Sequence, residues 1–242
     1  MSDALAVSRL GVILARAGSK RLPGKNVRPF AGRPLIAWVI QAALSSEVFD
    51  RVLVSTDCSA IAREARAWGA WVPFLRPPEL ATDQASSLDA LVHAVRWVVD
   101  QQPTDTSLQL VGLLQPTSPF LTATHVREAV DLFDRQSCHS LSSMCPIHER
   151  PEWMFHRTPS GLATPVDPEG VTKSSRDLPP LYRENGALYL LLPELLLKHH
   201  RLYDFEHHGS YLMSAVDSID IDDASDWEIA SAVMSARCQG HL

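Results

Sequence analysis

The run Leu10-Gly-Val-Ile-Leu14 has no polar residue in it, and that missing alternation constrains the fold more than any other feature. A strand with two apolar faces is buried on both, as in a parallel sheet covered by helices. The run passes directly into a loop carrying Arg16, Lys20, Arg21 and Lys25. From Arg16 to Arg33 there are six basic residues and no acidic one, in a chain of formal net charge −6. Local positive charge in an acidic chain calls for an anionic ligand. Gly18, Pro23 and Gly24 let backbone amides approach such a ligand, and the loop leaves the carboxyl end of a strand, where open α/β sheets bind ligands. These features weigh against the alternative of a solvated basic turn. A Walker loop is excluded, because five residues separate Gly18 from Gly24 and Asn26 stands where a magnesium-binding hydroxyl is needed.

The alternation continues. Pro34 opens a helix with Leu35, Ile36, Trp38, Val39, Ala42 and Ala43 on its buried stripe. Val52–Ser55 reads as a strand, followed by a helix capped by Asp57 or Ser59 and stopped at Gly69. A short strand is expected around Trp71–Leu75. Ser86 and Ser87 can cap a helix that buries Leu88, Leu91, Val92, Val95 and Val99, and Leu110–Leu114 is again strand. Thr122 or Thr124 opens a helix with Val126, Ala129, Val130 and Phe133 on one face. Such alternation predicts an α/β fold, a mostly parallel sheet between two layers of helices. From about Cys138 to Pro180 the rhythm breaks, with five prolines between Pro146 and Pro168 and a stretch, Ser140–Cys145, that could pair as a hairpin. Strand character returns at Ala187–Leu192 and Tyr211–Ser214, and a closing helix follows Asp226.

Composition narrows the function classes. At 242 residues and 45% hydrophobic, the chain can bury a substantial core. No apolar run reaches membrane-spanning length, and Met1–Arg9 lacks the pattern of a signal peptide, so a cytoplasmic protein without a membrane partner is expected. Cys58, Cys138, Cys145 and Cys238 are scattered without metal-ligand spacing and read as free thiols. The acidic balance speaks against nucleic acid as a partner. His199/His200 and His207/His208 are expected to be solvated, since adjacent histidines point in different directions.

Asp220 and Asp222 alternate with Ile219 and Ile221, so on an extended segment both carboxylates share one face. The spacing alone is equally compatible with a surface acidic turn and with a magnesium site. Gln115, just past the buried run Leu110–Leu114, falls at the carboxyl edge of the sheet.

Six blocks in one order carry a resemblance over nearly the whole chain. They are Leu14-Ala-Arg-Ala-Gly-Ser-Lys-Arg-Leu-Pro-Gly-Lys-Asn26, Val54-Ser-Thr-Asp57, Phe74-Leu-Arg-Pro-Pro-Glu-Leu-Ala-Thr-Asp83 with Ala85-Ser-Ser87, Leu114-Gln-Pro-Thr-Ser-Pro119, Tyr182-Arg-Glu-Asn-Gly-Ala187 and Ser218-Ile-Asp-Ile-Asp222. The sequence resembles the CMP-sugar synthetases, cytidylyltransferases that activate sialic acid and related nonulosonic acids. The resemblance implies a Rossmann-like three-layer α/β/α nucleotidyltransferase core (1–137 and 181–242) with 138–180 inserted as a dimerisation arm, and hence a homodimer. It implies CTP and an acidic sugar as substrates. Ala15, Arg16, Gly18, Ser19, Lys20, Lys25 and Asn26 would hold the nucleotide, with Arg76, Ala85 and Ser86 around the cytidine. Arg16, Lys25 and Gln115 would be the catalytic residues. Gln115, Arg176, Arg183, Asn185 and Tyr189 would meet the sugar, and the block order tips Asp220 and Asp222 toward binding Mg2+. Relatives that bind sialic acid usually carry basic residues just before the Asp-Leu-Pro-Pro turn, where this chain has Ser174 and Ser175 followed by Arg176. An eight-carbon keto-acid or a phosphonate therefore stands as an alternative acceptor, and a non-catalytic nucleotide-binding protein as an alternative function.

Overall fold

A computed structural model describes residues 6–103, 106–147 and 149–240. Its elements run β1 (Arg9–Leu14), β2 (Pro29–Phe30), β3 (Arg33–Pro34), α1 (Leu35–Ser46), β4 (Arg51–Ser55), α2 (Ser59–Ala67), α3 (Ser87–Gln101), β5 (Leu110–Leu114) and α4 (Ala123–Gln136). There follow β6 (Ser140–Pro146), β7 (Phe155–Arg157), β8 (Ala163–Pro165), β9 (Tyr182–Leu191), α5 (Pro193–Leu197), β10 (His208–Leu212) and α6 (Ala224–Cys238). Six strands form one sheet in the order β10-β6-β9-β5-β1-β4. β1 pairs parallel with both β4 and β5, and β10 parallel with β6, while β9 runs antiparallel between β5 and β6.

The apolar run of β1 is buried as its sequence requires, and its side chains divide between two layers. Ile13 packs with α1, α2 and α4 on one face, Leu10 and Val12 with α3 and α5 on the other. The result is a Rossmann-like three-layer α/β/α arrangement. Gly11 and Gly112 are paired in register on β1 and β5, and the Phe49 ring lies over both; a Cβ at Gly112 would meet its Cζ at 2.5 Å. A third apolar group, Leu22, Phe30, Leu35, Phe120, Ile221, Ala230 and Met234, ties the loop after β1 to the segment before α6.

Several expectations are corrected. Ser140–Pro146 does not open an inserted hairpin; it is a strand of the main sheet, between β9 and β10. Of the expected arm, the described residues between Ile147 and Leu181 lie outside the sheet, as short turns and the small β7–β8 ladder. Trp71–Leu75 contributes a single bridge, Leu53 to Trp71, because Pro73 lacks the N–H that would extend the pairing. The cap of α2 is Cys58, with no side-chain hydrogen bond, and Asp57 is used elsewhere. Ser86 and Thr122 do cap α3 and α4, and Asp223 caps α6 in a reciprocal box with Asp226.

His208 is not a solvated histidine. Its two ring nitrogens meet the hydroxyls of Ser140 (2.8 Å) and Ser142 (3.0 Å). Burial pushes the pKa values of His93, His125 and His208 below the usual imidazole value. The folded chain then binds fewer protons at these sites than the unfolded chain, so stability falls as the pH drops through about 6.5. The thermal midpoint should be lower at pH 5.5 than at pH 7.5, with a smaller difference in His208→Gln; equal differences in the two proteins would contradict this.

Candidate active site

The basic loop and the aspartate segment face each other across one cleft of about 670 Å³ at the carboxyl ends of β1 and β5. Among the residues lining it are Arg16, Ser19, Lys20, Arg21, Lys25, Asn26, Arg76, Ala85, Ser86, Gln115, Asp220 and Asp222. Five cationic side chains thus stand against three carboxylates, Asp83 being the third.

The loop is held from three directions. Leu22 is sunk in the third apolar group beside Ile221. The Ala17 amide donates to Asp57 Oδ1 at 3.0 Å, and Asn26 Nδ2 donates to the Arg16 carbonyl at 3.2 Å. Gly24, at φ 68°, turns the chain into the short helical turn Lys25–Val27, a left-handed conformation that glycine adopts without strain. Of the six basic residues, four line the cleft and two do not. The Arg28 guanidinium lies 4.7 Å from the centre of the Trp227 ring, and that of Arg33 lies 3.5 Å from the Trp38 ring.

Lys25 connects the two walls. Its side chain is nearly buried, and Nζ donates to the Ile221 carbonyl (2.7 Å) and to Asp222 Oδ1 (3.0 Å). Asp222 Oδ2 takes a second cation, Arg21, at 2.7 Å. Burial pushes the Asp222 carboxyl up, but Lys25 and Arg21 outweigh it and hold it below the usual range. Asp220 differs: burial dominates and raises its pKa against hydrogen bonding from Thr117. Its Oδ1 is buried without a hydrogen-bond partner. The segment is not part of a sheet; the Ile221 amide donates to the Thr117 carbonyl at 2.9 Å, which keeps it extended with Ile221 fully buried and both carboxylates in the cleft. An orphaned buried carboxylate oxygen beside a second carboxylate is a hard, all-oxygen donor set that suits a divalent cation such as magnesium.

The opposite wall is the chain from Arg76 to α3. Arg76 is 6% exposed and gives its guanidinium to Ser55, Nε to Oγ at 3.0 Å and Nη2 to the carbonyl. Burial lowers its pKa. The Ser86 hydroxyl is engaged as the α3 cap, accepting from the Asp89 amide and donating to its carboxylate at 2.8 Å. Ala15 is buried beneath the cleft, its amide on the Ser55 carbonyl, and Gly18 lies in the loop away from the lining.

Of the expected sugar contacts, the single chain brings only Gln115 into the cleft. Arg176 is exposed on the arm, in a turn whose cap is Ser174: its hydroxyl accepts from the Arg176 amide at 3.3 Å. Arg183 is exposed at the start of β9. Tyr189 packs with the α3 side of the core, and burial, followed by the nearby Glu184 charge, pushes its hydroxyl pKa up. Asn185 points inward, 4% exposed. Its Oδ1 accepts from Ser143 Oγ (2.5 Å) and the Ala187 amide (3.1 Å), and Nδ2 donates to Ser218 Oγ (2.8 Å). It thereby fixes the bulge in β9 that places Gly186 in the lining and joins it to the chain leading to Asp220.

Leu80, Thr82, Asp83, Thr117 and Gly186 also line the cleft, and sequence reasoning passed over them. Asp83 lay within a quoted block; only its acidity in a basic setting could have marked it. Away from the cleft, His139, Asp204 and His207 form a compact cluster. His139 Nδ1 lies 2.7 Å from Asp204 Oδ2, a hydrogen-bond distance shorter than the roughly 3.3 Å between ligands of a tetrahedral zinc ion. Both rings address the same oxygen, so the cluster closes on itself around Asp204 Oδ2.

Among the described residues no helix is long and apolar enough to cross a membrane. A family model described as cytidylyltransferase matches residues 10–239. The chain is 38% identical over 231 residues to the CMP-N,N'-diacetyllegionaminic acid synthase of Legionella pneumophila, covering 93% of this chain and 95% of that protein. It is 33% identical over 236 residues to an N-acylneuraminate cytidylyltransferase of Escherichia coli, covering 94% of this chain and spanning about half (52%) of that longer protein. A solved CMP:2-keto-3-deoxy-manno-octonic acid synthetase complexed with CTP shares the fold, with a TM-score of 0.71 at 18% identity over 95% of this chain and 99% of that one. A basic loop after the first strand, an aspartate pair facing it and a family match spanning both walls lead to one assignment: the chain belongs to the cytidylyltransferase family.

Proposed function

We propose that the protein transfers the cytidylyl group of CTP to the anomeric hydroxyl of a nonulosonic acid, a nine-carbon 2-keto-3-deoxy sugar acid, giving the CMP-sugar and pyrophosphate. The observation that carries this is Lys25 Nζ, 3.0 Å from Asp222, which joins a phosphate-binding loop and a carboxylate pair across one cleft. The names of the Legionella and Escherichia relatives support the acceptor class.

The hydroxyl oxygen forms its bond to the α-phosphorus as the bond to the bridging oxygen breaks; pyrophosphate leaves with that electron pair, and the hydroxyl proton passes to solvent. Arg16 and Lys20 bind the departing phosphates, Arg16 as a bidentate donor and Lys20 as a mobile charge. Lys25, rigid because it is buried, meets the developing negative charge without reorganising. Asn26 Oδ1, buried and without a partner, is an acceptor for a nucleotide hydroxyl. Gln115 orients the acceptor at the end of β5. Asp220 and Asp222 would hold magnesium, which when bound neutralises phosphate charge during transfer.

Pyrophosphate release from CTP should appear with a nonulosonic acid and be weak with eight-carbon keto-acids and phosphonates. No release with any nonulosonic acid would overturn the acceptor assignment. The arm exposes several large apolar side chains, among them Phe155 at 52%, Leu162 at 71%, Trp153 and Met154. We place a homodimer there, in which Arg176 of one copy reaches the sugar bound by the other. Sedimentation at micromolar concentration should show a dimer, and a monomer would contradict this. The four free cysteines support a reducing, cytoplasmic setting.

A further inference from the structure

Asp83 is placed where a phosphate of the ligand is expected. Its Oδ1 lies 3.0 Å from Arg16 Nη1 and its Oδ2 2.5 Å from Lys20 Nζ. Arg16 Nη1 also donates to the Thr82 carbonyl at 3.0 Å. One carboxylate therefore occupies both cations on the open half of the cradle, as a phosphate oxygen pair would, and Lys20 followed by Arg16 holds its pKa below the usual range. The other half is built differently. Lys25 is buried and clamped between Ile221 and Asp222, whereas the Lys20 and Asp83 side chains are 78% and 43% exposed. Exposed pairs are weak and exchangeable, and a multiply charged phosphate with bidentate geometry outcompetes a single carboxylate.

We propose that Asp83 is a displaceable internal ligand of the phosphate cradle, a positioning residue that the triphosphate evicts on binding and that re-pairs with Arg16 and Lys20 as pyrophosphate leaves. The proposal rests on the nucleotidyl-transfer reading and adds a role for a residue outside the reaction itself. Asp83 also belongs to the loop that reaches the cap of α3. The Ala85 amide donates to Thr82 Oγ1 at 3.1 Å, and Ser86 follows as the cap. Eviction of Asp83 therefore acts on the same loop that forms the wall assigned to the cytidine.

The direction of the effect separates this role from a structural one. If Asp83 merely braced the loop, its removal would loosen the cradle and weaken binding. As an internal competitor, its removal strengthens binding and slows release. Calorimetric titration with inorganic pyrophosphate and with CTP should give about five- to tenfold tighter binding to Asp83→Asn than to the parent protein, with Asp83→Glu close to the parent. In turnover, Asp83→Asn should show a lower KM for CTP, stronger pyrophosphate inhibition and a reduced kcat. Equal or weaker pyrophosphate binding by Asp83→Asn, with binding by the parent intact, would overturn the competitor role while leaving the assigned reaction standing. Failure of the parent protein to bind either probe would overturn the cleft as a phosphate site, and this proposal with it.

Discussion

Lys25→Ala is expected to lower kcat/KM for CTP about a hundred- to a thousandfold, the range seen when one preorganised donor to a developing charge is removed. The magnitude follows from its position. Lys25 is 8% exposed, and its ammonium is bonded to both a carbonyl and a carboxylate of the facing wall. Its removal takes a fixed cation from the phosphates and leaves Asp222 with only Arg21, whose side chain is 66% exposed. Lys25→Arg should not restore activity, because a planar guanidinium does not fit the compact site between Ile221 and Asp222. Steady-state pyrophosphate release, with melting followed in parallel, checks this. A change below threefold in kcat/KM would contradict it.

Asp220→Asn should produce an opposite pair of effects: activity lower by about three orders of magnitude, and a thermal midpoint equal to or above that of the parent protein. The buried carboxylate is destabilising as it stands, since desolvation raises its pKa and one oxygen has no partner. An amide of the same shape removes the desolvated charge and with it the hard oxygen donor proposed to hold the ion. Gain in stability with loss of activity is the signature of a group retained for function. A protein that melted lower and kept its activity would show Asp220 to be structural. If the carboxylate pair binds magnesium, the parent protein should also lose activity when the ion is chelated and regain it on addition of magnesium.

The elements legible in the sequence were those whose energetics are local. The unbroken apolar run of β1, the stripe of α1 and the caps Ser86 and Thr122 each follow from spacing within a few residues. The basic loop and the aspartate pair were legible as charge patterns, and the alternation of Asp220 and Asp222 with Ile219 and Ile221 placed both carboxylates in the cleft. What escaped depends on distant partners. Lys25 and Ile221 are 196 positions apart, so their hydrogen bond leaves no periodic trace. β6 was hidden because Ser140, Ser142 and Ser143 make it look like an edge hairpin; in the fold these hydroxyls bond His208, Asn185 and the β9 backbone inside the sheet. Asp57 has the sequence of a helix cap and serves as an anchor for Ala17. Asn185 lies in a block assigned to substrate, yet its amide is spent inside the protein.

In the proposed reaction the loop from Arg16 to Asn26 and the pair Asp220/Asp222 hold one polyphosphate between them. A crystal structure with CTP and magnesium tests it most directly. The triphosphate is expected within hydrogen-bond distance of Arg16 and Lys25, the ion on Asp220 and Asp222, and Asp83 withdrawn from Arg16. A triphosphate bound elsewhere, with the Lys25–Asp222 cleft empty, would contradict it.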